Sequence, residues 1–169
     1  KGHVDDGSGG ISNEPMIISG IAYPIFKGEA ELSDPEERSK KRKLDEDIDM
    51  QALMVIGYLW NYHLDTKKGS AFSLEVNREL ADLQNSYPSQ YVGMGVLTMQ
   101  DTRQAIKEID YLVKDFGIRS VALATSVNGK NLDDPTIMPI LEEAARAGLF
   151  LNFHVPSLGI VGSDYALDR

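Results

Sequence analysis

The chain has 169 residues, 42% hydrophobic and 25% charged, an ordinary composition for one soluble globular domain. Lys and Arg number 17 against 26 Asp and Glu, and the resulting charge of −9 repels phosphate backbones, so nucleic acid is not an expected partner. The absence of Cys excludes disulfide frameworks, thiolate zinc sites and cysteine nucleophiles, and no apolar run approaches the roughly 20 residues needed to span a bilayer, so no membrane partner is expected.

Residues 1–33 read as an irregular lead-in. Asp5, Asp6 and Gly7-Ser8-Gly9-Gly10 offer a flexible backbone with nothing apolar to bury. Within it, the apolar stretch from Met16 to Phe26 reads as a strand and a turn or as an ordered loop, interrupted by Gly20 and Pro24. Asp34-Pro35-Glu36-Glu37 is a helix start, with Asp34 as cap and Pro35 suited to the first helical position. The helix runs to about Asp47, and its Lys40-Lys41-Arg42-Lys43 run reads as a solvated face rather than an import signal.

From Ile48 the pattern alternates. Met50 to Gly57 is a short apolar run, as expected of a strand covered on both faces. A long connection leads to a helix expected near Ser73–Ser86, and Tyr91 to Leu97 is the next strand. Asp101 to Phe116 places Ala105, Ile109, Leu112, Val113 and Phe116 on one helical face and stops at Gly117. Ile118–Ala124 is a third strand, and Thr125–Asp133 is a turn-rich loop containing Asn128-Gly129. A helix opened by Asp134-Pro135 runs to about Ala147, and Leu149–Phe153 is a fourth strand ending at His154.

Strands alternating with helices indicate a parallel α/β sheet, either open and doubly wound or part of a (β/α)8 barrel. No Gly-x-Gly-x-x-Gly or phosphate loop follows any strand, which removes the usual signature of the first option. The expected class is α/β, a partial (β/α)8 TIM barrel over residues 34–169.

With no Cys, a metal could be held only by His, Asp or Glu, and there are three His. His154 ends a buried strand, and in barrels the carboxyl ends of strands face the active site. It is the candidate metal ligand, set against a core histidine satisfied by its neighbours. His63, in Trp60-Asn61-Tyr62-His63, and Asn128 are candidate substrate-binding residues. The plainer readings are an aromatic loop packed over the barrel mouth for the first and turn chemistry for the second. Asp134 reads as a helix cap.

Several of these segments resemble one family in order and spacing. They are Asp34 to Arg38, Leu44 to Leu53, Asn77-Arg78-Glu79-Leu80-Ala81, Tyr91-Val92-Gly93, the Gln100-Asp101 pair, Phe116 to Arg119 and, most specifically, Asn128-Gly129-Lys130-Asn131-Leu132-Asp133-Asp134-Pro135. Leu149 to His154 completes the set. Together they resemble the amidohydrolase-related proteins, the metal-dependent barrels grouped with aminocarboxymuconate-semialdehyde decarboxylase. The chain has His154-Val155-Pro156 where that family usually has His-Pro.

The resemblance implies that the chain holds strands two to five of the family barrel and that His154 is the family's third histidine ligand. The His-x-His of strand one and a later His and Asp are not in this sequence. A whole barrel needs about 250 residues. Lys1 in place of Met and the polar stretch up to Arg169 read as cuts, so the chain is expected to be part of a longer protein.

For that protein the resemblance implies a divalent ion, commonly zinc, and a small carboxylic acid substrate. The reaction would be nonoxidative decarboxylation, with hydrolysis or hydration as the alternative. This stretch alone is expected to be inactive, since a catalytic metal usually takes three protein ligands. A non-catalytic half-barrel acting through protein contacts is the reading from another class. Its open sheet edges invite pairing, a homo-oligomer being one outcome. Nothing argues for secretion, and a cytoplasmic protein is expected.

Overall fold

The computed structural model describes residues 16–18, 21–23 and 34–154. The sequence readings for 1–15, 24–33 and 155–169, Val155-Pro156 included, lie outside the described residues. The chain forms two compact units, 1–49 and 50–169.

In the first unit, β1 (Met16–Ile18) and β2 (Ile21–Tyr23) pair antiparallel. The helix start at Asp34 is as the sequence indicates. The Asp34 side chain accepts from the N–H groups of Glu36 and Glu37, and α1 spans Pro35–Glu46. Its basic residues meet acids at the helix end, Arg42 with Glu46 and Lys43 with Asp49. Exposed pairs of this kind contribute little to stability.

The second unit is a parallel α/β sheet. β3 (Gln51–Leu53), β4 (Tyr91–Gly95), β5 (Ser120–Ala124) and β8 (Phe150–His154) lie in the order β3-β4-β5-β8. The connections carry α2 (Thr66–Ser86), α3 (Thr102–Lys114) and α4 (Met138–Arg146), with a short hairpin of β6 (Ser126–Val127) and β7 (Lys130–Asn131) after β5. β5 is buried along its whole length and forms the centre of the core with Leu112, Ile118, Ile137 and Ile140. Gly93 and Gly95 turn toward the helices. A Cβ on Gly95 would lie 2.6 Å from Leu112 Cδ2, so the close seat of α3 on β4 needs glycine there. Alternation along β4 then puts Met94 on the opposite face.

That opposite face is concave. In a flat sheet, β3 and β8 would stand three strand spacings apart, about 14 Å. Yet the Asn152 amide on β8 donates to Met54 Sδ, just past β3, at 3.4 Å and to Met94 Sδ on β4 at 3.6 Å. The curl that brings the two edges together is the expected curvature of half a barrel.

Four elements differ from the sequence expectation, one being β8, which is exposed at Phe150, Phe153 and His154 rather than buried. Only Gln51–Leu53 of the Met50–Gly57 run pairs as a strand, because the chain turns into a 3-10 helix at Gly57–Trp60. Met50 and Ile56 are exposed rather than covered on both faces. α2 begins at Thr66, capped by the Asp65 carboxylate on the Lys68 N–H, two turns before the expected start. Finally, Asp134 does not cap α4. It accepts from the N–H and hydroxyl of Thr136 and closes a separate turn, and the helix starts four residues later at Met138. The stop at Gly148 is as expected: with φ at +71°, it lets Leu149 N–H reach Ala144 O at 2.9 Å and its own N–H reach Ala145 O at 3.0 Å, a Schellman closure.

Candidate functional site

Parallel strands present their carboxyl ends on one side, and three of the connecting loops meet there. The segment after β3 does most of the covering. Its 3-10 helix ends at Asn61, which adopts a left-handed φ of +55°, so that Trp60 and Tyr62 turn inward, their rings stacked 6.1 Å apart. The Tyr62 hydroxyl accepts from the Ala124 N–H at the end of β5, at 3.5 Å. Burial pushes the Tyr62 phenol above its ordinary range, an effect the Ala124 N–H partly offsets. Tyr62 is a neutral wall residue.

Ala124 is paired in register with His154, the last residue of β8. The His154 ring is exposed and meets Trp60 edge-on, with ring centres 6.0 Å apart. His154 thus stands where the sequence reading put it, at a strand end beside the mouth of the curl. His63 lies one residue beyond Tyr62 and is exposed.

Asn128 sits at the first position of the β6–β7 turn, with φ +49° followed by Gly129 at +79°. Two positive φ values are the signature of a type I′ hairpin turn, which Asn-Gly adopts most readily. Its side-chain amide is engaged: Nδ2 donates to Tyr62 O at 2.6 Å. The structure therefore brings Trp60, Tyr62, Asn128 and His154 to one place, with Asn128 bonded to the aromatic segment.

The Gln100-Asp101 pair belongs to the segments that resemble the family, but the sequence gives neither it nor Thr66 the task of knitting the loops. Gln100, after β4, donates to Leu64 O at 3.1 Å, and Thr66 donates to the Asp101 carboxylate at 3.0 Å. Among the described residues, Trp60 Nε1, Asn61 Oδ1 and Gln100 Oε1 are buried with no hydrogen-bond partner. Each such group costs about 1–3 kcal/mol, and the left-handed Asn61 adds to that. Local strain of this kind persists only where surrounding contacts enforce it, and it clusters at functional sites.

Metal chemistry would need more donors than these. Among the described residues no group of three His, Asp or Glu is placed to hold an ion. His154 is the one imidazole at a strand end, and the described residues do not make a metal site by themselves.

Residues 62–168, more than half of the chain, match the amidohydrolase family. The chain belongs to that family. It is 30% identical over 121 residues to 2-amino-3-carboxymuconate-6-semialdehyde decarboxylase of Dictyostelium discoideum, covering 72% of this chain and 33% of that protein. The chain therefore spans about a third of this relative's length.

Among the solved structures that share the fold are two decarboxylases. One is 5-carboxyvanillate decarboxylase of Sphingomonas paucimobilis, with a TM-score of 0.62, 23% identity, and coverage of 70% of this chain and 35% of that one. The other is a dihydroxybenzoic acid decarboxylase of Polaromonas sp. JS666 with bound manganese and the inhibitor 2-nitroresorcinol, with a TM-score of 0.67, 19% identity, and coverage of 78% and 41%. The parallel sheet is thus a curled half of the TIM barrel that the family's members build. No helix among the described residues is long and apolar enough to cross a membrane.

Proposed function

We propose that the whole protein is a metal-dependent nonoxidative decarboxylase of a small unsaturated or aromatic carboxylic acid. The observation that carries this reading is the placement of His154: a strand-end imidazole, walled by Trp60, in a chain 30% identical to a decarboxylase. Such a reaction breaks one C–C bond, releases the carboxylate as CO2 and returns a proton to the carbon left behind, with no oxidant consumed. A divalent ion would supply Lewis-acid polarisation when bound. His154 is one of its ligands, and the others come from outside the described residues. Manganese in the Polaromonas relative supports a divalent ion, and zinc is the ion the sequence resemblance implies.

The chain's own residues supply a wall and a rim. Trp60 and Tyr62 are buried and neutral, and they exclude water from one side of the mouth. His63, exposed on the same segment, is a rim residue within the region a substrate carboxylate would enter.

The test is CO2 release by the whole protein, supplied with manganese or zinc, from 2-amino-3-carboxymuconate semialdehyde, 5-carboxyvanillate and 2,6-dihydroxybenzoate. Turnover of one of these is expected. Turnover of none, alongside hydrolysis or hydration of a related compound, would move the protein to the other reactions of its family.

A second reading, a half-barrel acting through protein contacts, draws on β8. That strand pairs only with β5 among the described residues, and it leaves Phe150 63% and Phe153 44% exposed. A protein that holds no metal and turns over none of these acids would favour it.

A further inference from the structure

We infer that Asn128 is a positioning residue: its side-chain N–H, held on Tyr62 O, fixes the strained segment Trp60–Tyr62 and so sets the indole of Trp60 against His154. The sequence offers Asn128 as a candidate substrate contact or as a turn residue, and the geometry gives its amide a further task. Of the two hydrogen bonds that Tyr62 makes toward the β5 side of the sheet among the described residues, the one from Asn128 Nδ2 to Tyr62 O is the shorter, at 2.6 Å against 3.5 Å from Ala124 N–H to the Tyr62 hydroxyl.

The segment needs a restraint. Asn61 holds a left-handed backbone, and Trp60 Nε1 and Asn61 Oδ1 are buried without partners among the described residues. Released, the segment could flatten Asn61 and hydrate both groups. Relaxation in that direction carries Trp60 away from the imidazole it meets edge-on at 6.0 Å. The tether itself is rigid, because the I′ turn fixes the Asn128 backbone and Val127 pairs with Lys130 across it.

The inference takes the strand ends as the working face, as proposed above. Its test reads Trp60 directly and needs neither metal nor substrate, so a failed decarboxylation assay leaves it standing. Trp60 is the one tryptophan of this sequence. In whole protein labelled with 5-fluorotryptophan, its 19F resonance is assigned by comparison with Trp60→Phe.

Two variants separate the side chain from the backbone. Asn128→Gly keeps the positive φ at no steric cost and removes the tether. Asn128→Asp keeps the size and the tolerance of φ, removes the donor and sets a carboxylate against Tyr62 O. In both, the Trp60 resonance is expected to shift toward its position in urea-unfolded protein and to gain the water-versus-D2O isotope shift of an exposed ring. Circular dichroism in the far ultraviolet should stay unchanged. A Trp60 resonance unmoved in both variants overturns the inference. A shift in Asn128→Gly alone overturns it too, since the donated hydrogen bond would not then be what holds the segment.

Discussion

Asn77, buried in the middle of α2, pairs with both main-chain groups of Val96: its Nδ2 donates to Val96 O at 2.9 Å and its Oδ1 accepts from Val96 N–H at 2.8 Å. The side-chain amide thus acts as one more rung at the carboxyl end of β4, where the strand leaves its ladder and the chain turns toward the site. This accounts for the Asn of the Asn77-Arg78-Glu79-Leu80-Ala81 motif as a structural residue.

Asn77→Ala should cost about 2–4 kcal/mol, since it strands a buried N–H and a buried carbonyl together. Asn77→Asp keeps the acceptor but buries a carboxylate with one oxygen against Val96 O, so its cost at neutral pH should be larger. Urea unfolding of the three proteins at neutral pH checks the order.

Glu108 on α3 makes the matching link one step further along. It is 5% exposed, and its carboxylate accepts from Thr98 N–H at 2.7 Å, Thr98 Oγ1 at 2.8 Å and Gln104 Nε2 at 3.1 Å. Glu108→Ala removes the acceptor for two groups of a buried threonine and should destabilise by about 3 kcal/mol. Glu108→Gln keeps an oxygen for Thr98 N–H and should cost about 1 kcal/mol. Equal losses for the two would show that volume rather than hydrogen bonding matters there.

Gly95→Ala tests the seat of α3 on the sheet. The new Cβ would lie 2.6 Å from Leu112 Cδ2 and 3.0 Å from Asn77 Oδ1, and Leu112 is fully buried, so it must shift within the core. A loss of about 1–3 kcal/mol is expected, as for other overpacked cores. Thermal unfolding reads it directly.

Asp101 gives a pH dependence of known sign. Its carboxylate caps α3 by accepting from Gln104 N–H and also accepts from the Thr66 hydroxyl, and the cap holds its pKa below the usual carboxylate value despite partial desolvation. The folded value is therefore lower than the unfolded one. The stability Asp101 contributes is fully present above the unfolded value, about pH 4, and is lost as pH falls through the lower folded value. Asp101→Ala should cost about 1 kcal/mol at neutral pH. The difference from wild type should shrink as pH falls below about 4. A difference that grows in acid would contradict this assignment.

The parts of the fold that sequence made legible are those with a strong apolar period. α3 spans Thr102–Lys114 with Ala105, Ile109 and Leu112 buried, as its periodicity indicates, and β5 is buried throughout. The first two turns of α2 were not legible because its buried stripe, Gly69, Ser73, Asn77 and Ala81, is small and polar rather than apolar. It fits because β4 and the Thr98–Gln100 loop approach closely: Asn77 pairs with Val96, and a Cβ on Gly69 would lie 2.6 Å from Gln100 Nε2.

In the site, strand-end position was enough to single out His154. The task of Asn128 was not legible, because it depends on where a segment 66 residues earlier in the chain folds back. Nor did sequence single out Trp60 as the ring that meets His154, since that contact spans the two edges of a sheet whose curl no local pattern encodes.

The most direct test of the account is the metal content of the whole protein and of its His154→Ala variant, measured by elemental analysis for zinc and manganese after dialysis. Close to one divalent ion per chain is expected in the wild type, and loss of most of it in the variant with far-ultraviolet circular dichroism unchanged. Equal metal in the two proteins would remove His154 from the metal centre, and with it the central claim.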